Sequence, residues 1–480
     1  MVFDDIIKAF PEDNIPDLSV FYNRISSWSD IYKGEPEWLT VKSSGLYKKA
    51  NRKSNTLNIA KVLCDKFSAL CFAEQAEIAC DEPFKSYIDT VLDDEGFWKN
   101  IPDLLSKAFA HGGCVIREYL DNDKVKINYI EAADFIPIAW DNKRITAGIF
   151  RSQMYRNGIY YTLLERHKPE DGRIRVDSRL YRSSDKNSIG TRCAFSELYP
   201  DAPDYAVYDT DVPVFQYFKP ACANNKDSYI PLGISVFANA ADTLRAIDTA
   251  FDSLAREVVL GKKRIIVPSS CIQTVVDTAS GKIERYFDTD DEVFQALKCD
   301  EERDLKITDN TVTLRIDEHV KLINALLNIL CAQVGLSVGA LSFDMSSGVK
   351  TATEVVSEQN ETMQTMRANK NLLVEFFEGL CRAIIALGVS VGKLPNKEYS
   401  LAVGFKDNVI IDENTLIDNN IRLVAAGLQS KAAAIMEIFK CDESEAQKKL
   451  ARINKEQDIS ADMTDMLALR GGTDDGGGAA

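Results

Sequence analysis

Two stretches of the chain carry apolar residues at alternating steps of three and four. Over Ile234 to Leu260 the positions are Phe237, Ala240, Leu244, Ile247, Phe251, Leu254 and Val258. Over Ile316 to Val334 they are Ile316, Val320, Ile323, Leu327, Leu330 and Val334. Such a stripe lines up on one face only if the segment is helical, so the pattern predicts two helices forming a rod. The segment between them contains strand-like runs, Arg264-Ile265-Ile266-Val267 and Thr311-Val312-Thr313-Leu314. After the second helix comes a Gly/Ser loop over 337–350, then Thr351-Ala352-Thr353-Glu354, a capping box that opens a helix. No proline follows until Pro395, and the predicted helix, to about Leu387, is roughly 50 Å long. Its first half is polar and its second half apolar, with Leu372, Leu373, Phe376, Phe377, Leu380 and Ile384.

Upstream of the rod the period changes once. Residues 1 to about 110 read as mostly helical: Leu57, Ala60, Leu63, Phe67 and Leu70 share a side, and Phe84 to Leu92 and Ile101 to Ala110 continue the pattern. A loop with Gly34-Glu35-Pro36-Glu37-Trp38 interrupts the early part. From Gly112 the period is two, predicting strands at Cys114–Tyr119, Val125–Ile130, Gly148–Arg151, Ile159–Glu165 and Val212–Phe218. Leu120-Asp121-Asn122-Asp123-Lys124 sits where a hairpin needs its turn. Arg182 to Asp211 reads as loop with short strands. Tyr399 to Phe405 reads as one more strand, Glu413 to Leu469 as helix broken near Gly427, and the Gly-rich end as a flexible tail. The fold class expected is α+β.

Composition narrows the function. The chain has 480 residues, 45% hydrophobic and 27% charged, as in a globular protein with a sizeable core. Lys and Arg number 57 against 73 Asp and Glu, a net charge of −16, so bulk attraction to nucleic acid is excluded. No apolar run is long enough to span a bilayer, and Met1-Val2-Phe3-Asp4-Asp5 is acidic where a signal peptide needs base. The expectation is a cytoplasmic chain with no membrane partner. Eleven cysteines without a Cys-x-x-Cys read as small core residues.

Catalytic patterns are not found. His111, His167 and His319 lie in no recognised motif and read as polar or capping residues, His167 at a strand end. Gly348-Val349-Lys350-Thr351 fails the P-loop test, since Phe343 stands where the first glycine belongs and Val349 separates Gly from Lys. Asp288, Asp290, Asp291, Glu292, Glu301 and Glu302 form an acidic cluster without calcium-loop spacing, read as a solvated or partner-facing surface. Lys262, Lys263 and Arg264 either touch phosphate or complement the dipole of the helix they end. No cofactor, metal or enzymatic activity is expected.

Read in order, these segments resemble the portal proteins of tailed bacteriophages, in particular those of siphophages of Gram-positive hosts. The resemblance rests on Pro231-Leu232-Gly233-Ile234-Ser235-Val236-Phe237, Leu260-Gly261-Lys262-Lys263-Arg264-Ile265, Asn324 to Leu336, and most specifically Lys350-Thr351-Ala352-Thr353-Glu354-Val355 with its upstream Ser342-Phe343-Asp344. Gly112-Gly113-Cys114-Val115 and Ala133 to Ile138 resemble the family's wing.

The resemblance implies a wing over 1–230, a stem helix over 231–260, an α/β clip over 261–315 and a second stem helix over 316–336. It continues with a tunnel loop over 337–350, a long wing helix over 351–387, a wing strand over 388–412, a crown over 413–470 and a tail over 471–480. It further implies a homo-oligomeric ring of about twelve subunits at one capsid vertex, with an axial channel for double-stranded DNA. Partners would be the terminase large subunit, the head–tail adaptor, and the scaffold and major capsid proteins, with assembly in the host cytoplasm into the virion. Ser337, Ser342, Asp344, Ser346, Ser347 and Lys350 would face DNA, Lys350 either as a transient phosphate contact or bound to its own helix or a neighbour. The acidic cluster of the clip would meet terminase or adaptor. A tail or baseplate subunit and an unrecognised metal-dependent hydrolase are the competing readings.

Overall fold

The computed structural model describes residues 3–13, 15–44, 49–72, 75–200, 202–261, 265–266, 273–276, 283–286, 308–309, 313–342, 360–405, 413–427, 429–439, 441–453 and 455. It divides the chain into two units, 1–405 and 406–480.

The first unit opens with helices α1 (Phe3–Ala9) and α2 (Ser19–Lys33), then α3 (Ile59–Cys71), α4 (Phe84–Asp94) and α5 (Phe97–His111). In α5 the first half buries one side, Phe97 and Ile101, while the second half is buried almost all round, from Leu104 to Ser106 and from Ala108 to His111. α5 stops because Gly112 adopts the left-handed conformation (φ +86°), returning its amide to the Ala108 carbonyl. Between α2 and α3 lies a hairpin, β1 (Thr40–Ser44) with β2 (Lys49–Lys53), and after α3 the short strand β3 (Glu77–Cys80). The apolar pattern does not foretell the hairpin, because Thr40-Val41-Lys42-Ser43-Ser44 has no apolar alternation.

Nine strands follow: β4 (Cys114–Asp121), β5 (Lys124–Glu131), β6 (Phe135–Asp141), β7 (Arg144–Arg156), β8 (Ile159–Glu170), β9 (Arg173–Ser183), β10 (Thr191–Cys193), β11 (Tyr205–Tyr208) and β12 (Phe215–Phe218). Four reversals use paired positive-φ residues, Asn122–Asp123, Asn142–Lys143, Asn157–Gly158 and Asp171–Gly172. These are the conformations that two-residue hairpins demand, and Asn, Asp and Gly supply them at least cost. The strands pair antiparallel into two sheets, β12-β4-β5 and β10-β9-β8-β7-β6, with β11 also on β9. Phe135, Phe150, Phe215, Val115, Ile130 and Ile145 pack together as a small second core. His167, expected at a strand end, lies inside β8 paired with Val176 and Gly148. The strand runs five residues beyond Glu165 because β9 keeps its ladder paired as far as Glu170 with Arg173.

The rod is helix α6 (Ala241–Leu260) packed on α7 (Ile316–Val334). The bounds of α7 are those the periodicity predicts. α6 begins seven residues later than expected, because the Val236 amide bonds to the Phe109 carbonyl and Ser235 Oγ accepts from the Phe237 amide. Those bonds hold 236–239 in turns ahead of the helix, while Ile234, Phe237 and Ala240 remain buried. Within the insert the described pieces are β13 (Ile265–Ile266) with β16 (Thr308–Asp309), and β14 (Gln273–Val276) with β15 (Ile283–Tyr286). Helix α8 (Asn360–Ser390) brings its apolar half into the main core. There Phe377 meets the rings of Phe72, Phe97, Trp98 and Phe405. The capping box at 351–354 lies outside the described residues. Strand β17 (Leu401–Gly404) pairs with β3, tying this end of the unit to its beginning.

The second unit contains α9 (Glu413–Ala425), α10 (Lys431–Phe439) and α11 (443–453). Gly427 at φ +73° makes the break read from the sequence. The mixed helix and strand content is the expected α+β class.

Candidate functional site

The site is the rod together with the root of the loop it carries. Of the predicted stripe, Leu244 and Ile247 of α6, and Ile323, Leu327, Leu330 and Val334 of α7, are buried; Phe251, Leu254 and Val320 are half-buried, and Val258 and Ile316, toward the far end of the rod, are exposed. Polar links close both ends. Thr243 Oγ1 donates to Gln333 Oε1 at 2.8 Å at one end. At the other, Arg315 donates through Nε and Nη2 to Glu257, each at 3.2 Å, with His319 Nε2 3.9 Å from the same carboxylate. The hydrogen bond from Arg315 holds the Glu257 carboxyl below its usual pKa.

Outside the seam the two helices differ. On α6 the exposed positions Asp242, Arg245, Thr249, Ser253 and Arg256 fall on one stripe, and it is polar. On α7, Leu322 (49% exposed) and Ile329 (50%) lie with exposed Ala325 and Ala332 on one stripe, which is apolar from 322 to 332 and has the exposed Glu318 one turn before it. At 100° per residue this stripe stands roughly 150° from the buried seam. α7 is therefore apolar on two nearly opposite faces, and one chain covers only one of them.

Two acids interrupt the buried side of α6. Asp248 is 7% exposed and accepts from Trp38 Nε1 at 3.0 Å and Thr56 Oγ1 at 2.7 Å. Asp252 is 6% exposed, takes Arg52 bidentately at 2.7 and 2.6 Å, and accepts from the Asn55 amide at 3.0 Å. Arg52 is the first cause of its lowered pKa. Both carboxylates are thus hydrogen-bonded, and Asp252 is also paired with a cation, as burial of a polar or charged group requires. Sequence reasoning missed both acids; the available signal was a pair of carboxylates four apart beside Ile247 and Phe251.

The loop root is pinned. Gly335 (φ +74°) ends α7, and the Leu336 amide returns to the Cys331 carbonyl at 2.8 Å. Thr365 Oγ1 donates to the Gly335 carbonyl at 2.6 Å, and the Gly339 amide donates to Asn328 Oδ1 at 3.2 Å. Lys66 Nζ donates to the Ala340 carbonyl. Ser337, expected to face a channel, is buried and bonded to Thr362, so it belongs to the anchor of the loop. Ser342 is exposed. Asp344, Ser346, Ser347 and Lys350 lie outside the described residues. So do Lys262, Lys263 and Arg264, and the acids Asp288, Asp290, Asp291, Glu292, Glu301 and Glu302.

A second charged group, unforeseen from sequence, lies between the sheets. Arg117 of β4 pairs with Glu165 of β8, its guanidinium 5.2 Å from the ring of Tyr119 and 5.8 Å from that of Phe150. His167 meets Phe150 edge-on at 4.7 Å, and neither ring nitrogen has a hydrogen-bond partner among the described residues. Burial, and then the charge of Arg117, hold its pKa well below 6.5. Glu118 is buried with both carboxylate oxygens unpartnered among the described residues, and burial raises its pKa well above the usual range. Among the described residues no group of His, Cys, Asp and Glu is placed to hold a metal ion, and no helix is long and apolar enough to cross a membrane.

None of the curated proteins compared with the chain matches it. Among solved structures, a chain titled "Virion of native gene transfer agent (GTA) particle" matches with 12% identity and a TM-score of 0.39, over 80% of this chain and 90% of that one. The profile of the family described as "Phage portal protein, SPP1 Gp6-like" matches residues 15–461. That match runs through both rod helices, the residues between α7 and α8, and the sheets alike, and the chain belongs to the phage portal protein family.

Proposed function

We propose that the chain is the subunit of a non-enzymatic ring at one capsid vertex, through whose axial channel double-stranded DNA enters and leaves. In this reading α6 and α7 are the stem, 261–315 the clip, 337–350 the loop facing the channel, 351–387 and 388–412 parts of the wing, and 413–470 the crown. The clip docks the terminase large subunit during packaging and the head–tail adaptor afterwards; ATP hydrolysis belongs to the terminase. The ring assembles with scaffold and capsid protein. The observation that carries the reading, beside family membership, is the second apolar face of α7, Leu322–Ala325–Ile329–Ala332. A helix apolar on two faces needs a second neighbour, and in a ring the next subunit supplies it. The net charge of −16 suits a channel in which DNA slides, because each fixed cation–phosphate contact adds a barrier.

Negative-stain electron microscopy and native mass of the purified chain, alone and with scaffold and capsid protein, test this. Closed rings with an axial hole are expected. Ile329→Lys and Leu322→Lys should leave a folded chain that no longer closes into rings. A discrete holeless dimer or tetramer under all these conditions would overturn the reading.

A further inference from the structure

The first part of the chain is fastened at two places that have little else in common. At one, Phe10 is fully buried beneath two guanidinium groups, Arg166 of β8 at 5.2 Å and Arg179 of β9 at 4.2 Å from its ring centre. Arg166 also donates to Glu12 at 2.9 Å and Asp13 at 2.8 Å, and Arg179 to the Ala9 carbonyl and to Glu12. At the other, Trp38, Arg52, Asn55 and Thr56 hold Asp248 and Asp252 on α6. Between the two places runs α2, buried along one side by Phe21, Tyr22, Ile25, Trp28 and Ile31.

We infer that α2 with its described flanks, 9–13 and 34–38 together with Arg52 to Thr56, is a strap that couples the β8–β9 face of the sheet to the rod helix α6. Both ends are held by charge-assisted bonds, which fix direction and distance, whereas an apolar seam tolerates small slides. Most of the connection is helix α2, which carries a displacement along its axis rather than absorbing it in soft torsions, and beyond it the Gly34 and Glu35 amides return to the Ile31 and Asp30 carbonyls. A shift of α6 therefore moves Asp248 and Asp252, pulls on Trp38 and Arg52, and is delivered to Arg166 and Arg179. The coupling lies within one chain and stands apart from the ring reading.

Amide hydrogen exchange of the full chain, followed by mass spectrometry, tests it. Asp252→Asn should speed exchange about tenfold in 241–256 and, through the strap, also in 164–180, with α4 unchanged. Arg166→Gln should speed exchange in α6 in return, since coupling is reciprocal. Should Asp252→Asn fail to fold, Thr56→Val removes the hydrogen bond to Asp248 and the one Thr56 Oγ1 accepts from the Asn58 amide, keeps the Arg52 bridge, and should give a smaller effect with the same pattern. Acceleration confined to 38–56 and α6, or spread equally into α4, would overturn the inference.

Discussion

The amide of Ser337 donates to Thr362 Oγ1 at 2.8 Å, while the amide of Thr362 donates to Ser337 Oγ at 3.2 Å, with the two hydroxyls 3.0 Å apart. Both residues are buried, so each satisfies a backbone group that water does not reach. Thr362→Val keeps the shape and removes the acceptor of the Ser337 amide. The expected cost is about 1–3 kcal/mol, seen as about tenfold or faster exchange of that amide. An unchanged exchange rate would show that the pair does not anchor the loop.

Glu118 should make the chain less stable as pH rises. Its folded pKa is raised above the unfolded value, so its contribution is fully present below the usual carboxylate range and is lost as pH climbs toward the folded pKa. Each unit of separation is worth about 1.4 kcal/mol. Glu118→Gln, neutral at every pH, should flatten this slope: near parity with the parent at pH 4 and a higher urea midpoint at pH 8. Parallel curves for the two proteins would refute it.

His167 works in the opposite direction. Its folded pKa is depressed, so the chain binds fewer protons folded than unfolded once pH drops below about 6.5. Stability should then fall with acidity. His167→Gln cannot take up that proton, and its midpoint between pH 6.5 and 4.5 should decline less steeply than the parent's. Phe150 and Phe215 lose a ring contact in the variant, so the slope and not the absolute midpoint is the readout.

Gly112 and Gly233 touch backbone to backbone. A Cβ on Gly112 would lie 2.5 Å from the Gly233 carbonyl oxygen, and one on Gly233 would lie 2.4 Å from that of Gly112. Neither neighbour is a flexible side chain, and Gly112 also sits at φ +86°. Gly112→Ala should therefore lower the unfolding midpoint by the equivalent of about 2–4 kcal/mol. Gly158→Ala, at φ +81° in open space, carries only the backbone strain, about 1 kcal/mol. Equal losses at both positions would show that the close approach is not rigid.

What the sequence discloses depends on how far apart partners lie along it. The bounds of α7 and its seam from Ile323 to Val334 were readable, because that seam is a local pattern of period 3.5, although Ile316 on the same pattern is exposed. Hairpins were readable where Asn122–Asp123 broke two alternating runs. The start of α6 was not, since it is set by a bond from Val236 to Phe109. Nor were the roles of Asp248 and Asp252, whose partners come from 38–56. Ser337 looked like one more polar loop residue, and only the arrival of Thr362 from the next helix makes it an anchor. Arg117, Glu165 and His167 lie on strands whose sequence spacing carries no hint that they meet.

The two carboxylates of α6 also act as an index mark. A seam of leucine and isoleucine repeats every turn or two, and a helix sliding along it finds nearly equivalent packing at each stop. Asp248 and Asp252 are not interchangeable in this way: one faces an indole N–H and a hydroxyl, the other a guanidinium and a backbone amide. Advance α6 by one turn, and Asp248 arrives at the guanidinium while Asp252 moves past it and the indole faces Leu244. The helix therefore has one stop at which both notches engage, and its axial position is set like a key in a lock rather than by the total of its apolar contacts.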